Sequence, residues 1–412
     1  MIRTSILLFF VSSSFWQIGC TTTEQEVSDQ IEILASNEID SERWTQAVDD
    51  LVAIGRPAAR ELMVLLDPGS YKGKHYRDFR GEIEQTRTGA IVVLGRIKHK
   101  AASAQIHPRT AAGTYTFKER VASLKAVGEL GFNQAAVNAL ISLFDGEKDP
   151  VIRLYTALTL VKLNEPSANG EIHDALAPGG DATLAQIAIS ELGETNYFGV
   201  PLLVDLLASD GPHQENLSSA LESVEKSLIQ QLTSDDPDIR MRSANALGHI
   251  SIKPNIISAL FALLDDPSNL VRFNAAAAMS RLGNEDGTDF LFNSMGSDDP
   301  VLRANAIKSL VDVQQTSTTV KDLLIESLSN KNHLMRTGAA QVLGEAQVAS
   351  AVPQLINVIN DSVSEVRCNV VIALGRIAAQ STREDLARLV DDDDASVAYY
   401  AEWALKEIEG SI

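Results

Sequence analysis

One segment of this chain recurs in register about every 31 residues, and that recurrence constrains the fold more than any other feature. Asp238-Ile-Arg-Met-Arg-Ser-Ala-Asn-Ala-Leu-Gly248 returns as Leu270-Val-Arg-Phe-Asn-Ala-Ala-Ala-Ala-Met-Ser280 and as Val301-Leu-Arg-Ala-Asn-Ala-Ile-Lys-Ser-Leu310. It returns again as Leu334-Met-Arg-Thr-Gly-Ala-Ala-Gln-Val-Leu-Gly344 and as Glu365-Val-Arg-Cys-Asn-Val-Val-Ile-Ala-Leu-Gly375. The key arginines Arg240, Arg272, Arg303, Arg336 and Arg367 are spaced 32, 31, 33 and 31 apart. The same register places Arg87, Arg120 and Arg153 at intervals of 33, with Ala185 and Gln214 in weaker copies, Ala47 in the first and Ala398 in the last. Twelve copies, or about 24 helices, are expected.

Each copy has a physical logic. Asp149-Pro150, Asp236-Pro237 and Asp299-Pro300 pair an acid that can cap free amides with a proline tolerated in the first turn, so they mark helix starts. Small residues three and four places after the key arginine, such as Ser243 and Ala244 or Ala275 and Ala276, let neighbouring helices approach. Leu247, Met279, Leu310, Leu343 and Leu374 are expected to fill the layer between them. Second helices such as 256–264 and 351–359 are apolar at helical spacing, and no alternating strand with a hairpin turn stands out. One such pair cannot bury its apolar stripe alone, so the copies must stack. The predicted fold is all-α, a right-handed α-solenoid of about twelve helix pairs over residues 28–412, on the order of 100 Å long at one helix diameter per layer.

This motif resembles the HEAT-like repeats of the phycobilisome-lyase type. The family contains adaptors, scaffolds and a few enzymes, so the resemblance implies a fold more than a task. It also implies that the arginine-bearing helices line a concave side. Positions two, five and nine after the key residue then point into the groove: Arg242, Asn274, Asn305 and Asn369; Asn245, Lys308 and Gln341; His249, Arg281 and Arg376, with Glu345 among them. An amide-rich, mixed-charge groove suits an extended peptide or protein partner. The key arginines are expected to form a structural ladder with turn aspartates. Tyr399, Tyr400 and Trp403 either cap the last layer or form an aromatic contact patch.

The N-terminus carries its own signal. Residues 1–19 hold one charge, Arg3, and an apolar run from Ile6 to Val11 continuing through Phe15, Trp16 and Ile18, which reads as an export signal too short to span a membrane. It stops at Gly19-Cys20 and turns to polar residues 20–27. The arrangement resembles a bacterial lipoprotein signal, although Gln17 stands where that family carries leucine, and it implies a lipidated Cys20 tethering a monomer to the cell envelope. Only Cys20 and Cys368 are present, so lipidation would leave Cys368 as a single thiol, read as a small filler beside the groove.

Charge narrows the function further. Thirty-five Lys plus Arg against 55 Asp plus Glu leave a net charge of -20, which argues against nucleic acid as a partner. The basic stretch from Tyr71 to Arg109 opposes that trend, and Lys72, Lys74, Arg77 and Arg80 are candidates for contact with anionic surfaces near a lipidated end. His75, His99 and His107 match no zinc spacing, and the acids at 391–394 and 284–289 read as helix caps, so no metal or other cofactor is expected. No Gly-x-Ser-x-Gly elbow, phosphate-binding glycine loop or His-Glu-x-x-His occurs. The leading expectation is a noncatalytic envelope scaffold that binds a protein through its groove. The alternative implied by the family resemblance is a lyase-like or chaperone-like protein acting on a modified protein partner.

Overall fold

The computed structural model describes residues 23–66 and 83–410, apart from 112, 114, 132 and 210. The expected signal at 1–19, Cys20, and Lys72, Lys74, Arg77 and Arg80 all lie outside the described residues. Among the described residues the chain is all-helical and contains no strand, an α-solenoid of stacked helices. It divides into two compact units, residues 1–175 with 180–184, and residues 176–179 with 185–412.

In the first unit the arginine-bearing helices Ile83–Arg96, Phe117–Leu130 and Pro150–Lys162 pack each on the next. In the second, Pro237–Leu247, Asn269–Arg281, Pro300–Gln314, His333–Glu345, Ser364–Ile377 and Ala395–Gly410 do the same, with a second helix beside each of the first five. Helix starts follow the sequence. The Asp149 carboxylate accepts from the Val151 and Ile152 amides at 2.9 and 3.1 Å, and the Asp236 and Asp299 carboxylates accept from Asp238 and Val301 at 2.9 and 2.8 Å. Each proline occupies the first turn, where its missing N–H costs no helical bond.

The layers between helices are those the repeat implies. Leu247, Met279, Leu310, Leu343 and Leu374 are fully buried, as are Ser243, Ala244, Ala275 and Ala276. Burying a leucine of this kind contributes about 1.5–3 kcal/mol relative to leaving it in water. Phe273 is the largest of these buried side chains, and its ring meets Phe290 edge-on with centroids 5.3 Å apart.

Among the described residues the Gln214 copy contributes one helix in place of two. At Gln214 a single helix, Gln214–Gln231, runs for 18 residues and is followed directly by Pro237. A spacing of 26 residues to the next key position has no room for a second helix and its turns, which accounts for the short interval seen in the sequence.

Candidate functional site

Three arginines in the second unit build the expected ladder, and the geometry is the same each time. Arg240 grips both Asp266 oxygens at 2.8 and 3.0 Å, Arg336 grips Asp361 at 2.7 and 2.9 Å, and Arg367 grips Asp392 at 2.8 and 2.7 Å. The acid always stands six residues before the next key position, so every pair ties one layer to its successor. Each arginine also donates Nη1 to the carbonyl six residues before itself: Ser234 for Arg240, Asn330 for Arg336 and Asp361 for Arg367, at 2.7, 2.8 and 2.9 Å. Asp361 therefore joins both neighbours, its carboxylate held by Arg336 and its carbonyl by Arg367. In the first unit Arg120 pairs with Glu147 by the same offset, Arg87 with the buried Glu119 at 2.5 Å, and Arg153 with Glu171 at 2.7 Å. These arginines are occupied by structure.

The ladder has a pH signature. Hydrogen bonds from Arg240 and Arg367 hold the Asp266 and Asp392 carboxyls below the usual range, against burial that pushes them up. At Asp361 the upward push of burial is the larger single influence, yet the Arg336 and Val363 bonds and the nearby arginine charges together leave the carboxyl lowered. A carboxyl lowered in the fold stabilises it above the unfolded value, and that contribution is lost as pH falls through the folded value. The urea midpoint is therefore expected to hold steady above about pH 5 and to fall below about pH 4. Asp392→Asn is expected to lower the midpoint at pH 6 more than at pH 3. Equal losses at both pH values would show that the pair does not titrate with folding.

The expected groove residues gather into two small networks. Arg281 donates to the Asn245 side-chain oxygen at 2.7 Å and to the Asn245 carbonyl at 3.3 Å, and lies 3.5 Å from His249 Nε2. Positions five and nine of consecutive copies thus share one face. Burial lowers the pKa of Arg281 while Asp312 opposes the change; burial and then Arg281 lower that of His249, which favours a neutral ring although much of it reaches solvent. The second network joins Gln341 to Glu345 at 2.9 Å and Glu345 to Arg376 at 3.5 Å. Asn274, Asn305 and Asn369 each donate Nδ2 to the carbonyl four residues earlier, at 2.8, 2.8 and 3.0 Å, which orients the amide and leaves Oδ1 as an acceptor. Lys308 is exposed.

Arg242 stands apart. Its guanidinium lies over Tyr197 and Phe198, 5.6 and 5.4 Å from the ring centroids. Sequence reasoning did not connect those aromatics with Arg242, because they sit before the irregular Gln214 copy, where the register of the repeat is lost.

Other sequence candidates resolve as structure. Of the basic residues after the insertion, Arg87 and Arg96 are paired with Glu119 and Asp49, and Arg109 is buried with its guanidinium on the Gln105 and Leu66 carbonyls. Asp392 and Asp394 serve the ladder and the cap of Ala395–Gly410, and Asn284 caps its helix through the Gly287 amide. Burial, followed by Asp394 and Glu365, pushes the Cys368 thiol up, away from a reactive thiolate. Trp403 covers Gly375 while Tyr399 points to solvent, so the terminal aromatics are partly cap and partly surface. Among the described residues no group of three or more His, Cys, Asp or Glu could hold a metal, and no helix is long and apolar enough to cross a membrane.

The stacked pairs and their arginine ladder coincide with a family match. The family model described as HEAT repeats covers residues 225–311 and 320–406. Over these two stretches the chain is similar to HEAT repeats. The first unit has the same helix-on-helix packing outside the matched stretches. No curated protein matches the chain. Among solved structures, an engineered protein is 18% identical over 93% of this chain and 99% of its own, with a TM-score of 0.29. Human deoxyhypusine hydroxylase in complex with glycerol is 21% identical over 77% and 99%, with a TM-score of 0.26. Importin beta is 13% identical over 92% of this chain, which spans 61% of its length, with a TM-score of 0.33. At such identities and TM-scores none of these likenesses speaks to what this chain binds.

Proposed function

We propose that this chain is a noncatalytic scaffold that holds an extended segment of a protein partner on the face carrying Asn274, Asn305 and Asn369, tethered to the bacterial envelope through a lipidated Cys20. The observation that carries this reading is the repeated orientation of those amides. Each spends a donor on its own helix and leaves Oδ1 as an acceptor; the helices of Asn274 and Asn305 pack on each other, and that of Asn369 lies beyond the intervening His333–Glu345. The Asn274 and Asn305 acceptors, one helix spacing apart at roughly 9–10 Å, suit main-chain N–H groups about three residues apart in an extended chain, and Asn369 stands two such spacings beyond Asn305. Of the neighbouring cationic groups, Arg376 is paired with Glu345 and the Arg281 guanidinium is engaged by the neutral Asn245 amide, so the polar contacts offered there are chiefly hydrogen bonds. Affinity spread over several layers is how an extended face of stacked repeats holds a partner.

In-cell crosslinking and identification of the captured protein test the reading. Replacing Asn274, Asn305 and Asn369 together by alanine is expected to reduce capture at least about tenfold, since loss of three modest hydrogen bonds of about 0.5–1.5 kcal/mol each has that size. The helical content should stay unchanged. Undiminished capture would reject this face. Cys20→Ser is expected to move the protein from the membrane to the soluble fraction, and a protein that stays membrane-bound would reject the tether.

A further inference from the structure

Two devices hold successive arginine-bearing helices together in the second unit, and both fail at the same two places. The first is the carboxylate six residues before the next key position. Before Arg303 and Arg336 that place is taken by Ser297 and Asn330. Both keep the local turn bond: Ser297 Oγ accepts from the Asp299 amide at 3.2 Å and Asn330 Oδ1 from the Asn332 amide at 2.9 Å, as Asp361 does from Val363 at 2.9 Å. The side chain is in place and the charge is missing. Arg272 turns instead to Asn269 of its own helix, and Arg303 donates, among the described residues, to the Ser297 and Asp298 carbonyls at 2.8 and 2.9 Å.

The second device is close backbone approach. A Cβ at Gly248, Gly344 or Gly375, each eight residues after its key arginine, would lie 2.6, 2.6 and 3.0 Å from the Cα of Ala278, Ala373 and Ala404. After Arg272 and Arg303 the glycine positions hold Ser280 and Val311, and the alanine positions of the next helices hold Ser309 and Val342. Larger side chains keep helix axes further apart. Methionines fill the space there: the Met295 side chain reaches within 2.5 Å of where a Gly338 Cβ would be, and Met335 within 2.7 Å of one at Gly296. Unbranched thioethers repack with little cost. An open cleft of about 590 Å³ lies between Glu285–Met295 and Thr318–Ser327, lined by Phe292, Leu323, Glu326 and Asn330 among others.

We propose that the Arg303 copy, residues 300–327, is a flexible joint set between two stiff blocks, the Arg240–Arg272 layers on one side and the Arg336–Ala398 layers on the other. Among the described residues neither a cross-layer arginine–carboxylate pair nor a glycine-to-backbone contact of that kind lies at either of its interfaces; the Asn332 side-chain amide, which donates to the Gly296 carbonyl at 2.9 Å, bridges the blocks by a neutral bond. Movement there changes the placement of Asn305 and Lys308 relative to Asn274 and Asn369 without breaking a locked layer. The inference concerns the mechanics of the second unit and stands whether or not a partner occupies that face.

Native-state hydrogen exchange on the full chain tests it. Amides of Pro300–Gln314 and Thr318–Ser327 are expected to exchange about tenfold faster than those of Ser364–Ile377, because local opening there breaks no cross-layer ion pair. The double substitution Ser297→Asp and Asn330→Asp gives Arg272 and Arg303 the missing carboxylates and should remove most of that difference. Equal exchange in the unaltered protein overturns the joint, and so does a folded S297D/N330D variant that exchanges as before. If that variant does not fold, Asp361→Asn decides: it should raise exchange in His333–Glu345 toward the level of the joint, and no acceleration overturns the proposal.

Discussion

Phe273→Ala lowers the stability of the second unit by about 3–5 kcal/mol, the range for removing a fully buried phenylalanine without refilling its space. The ring is 2% exposed, meets Phe290 edge-on, and belongs to the same apolar cluster as Leu291, Met295, Ala306 and Ile307. Truncation forfeits the transfer of the ring from water and leaves a void that the surrounding helices close only in part. A urea titration followed by circular dichroism measures the loss. Since each repeat depends on its neighbours alone, the damage should stay local. Exchange protection is expected to fall first in Asn269–Arg281 and Pro300–Gln314 and last in Ser364–Ile377. A loss under about 1 kcal/mol would mean that the flexible Met295 refills the space, and that the ring is not the keystone its burial indicates.

Gly344→Leu is expected to cost about 3 kcal/mol, at the upper end for overpacking, because the obstacle is backbone. A Cβ there would sit 2.6 Å from Ala373 Cα and 2.7 Å from Ala373 Cβ, so the Arg336 and Arg367 helices must separate to admit any side chain. Separation also strains the Arg336–Asp361 pair that spans the same interface. Gly146→Ala is the control. Nothing lies within 4 Å of a Cβ at Gly146, so that change should be neutral or slightly stabilising through the unfolded chain. Thermal melts of the two variants should diverge in sign or nearly so. Equal effects would show that close approach at Gly344 is not what locks the layer.

The Leu-Gly ending of the repeat made Gly344 visible in the sequence as a recurring position, yet its weight comes from Ala373, which belongs to the next copy and faces it only once the helices stack. The same holds for the acids. Turn aspartates were legible as a class, but their partners were not, because Asp266 is 26 residues from Arg240 and its carboxylate reaches back across a whole layer. The groove candidates divide in the same way. Asn245 and Arg281 could each be placed on a helix face by counting, whereas their mutual bond, and the stacking of Arg242 on Tyr197 and Phe198, depend on the distances between helices. The irregular Gln214 copy shows the limit from the other side: its short interval was legible, and the missing second helix was not.

Local chemistry alone determined that this chain forms capped, amphipathic helices, where they start, and that copies 31 to 33 residues apart must stack, since spacing, caps and apolar periodicity act within a few turns of the backbone. The tertiary structure decided which arginines are spent on cross-layer pairs, which glycines meet backbone, and that both devices lapse around Arg303. Those outcomes depend on atoms brought together from different copies, and the order of residues in one copy carries no measure of the distance to the next.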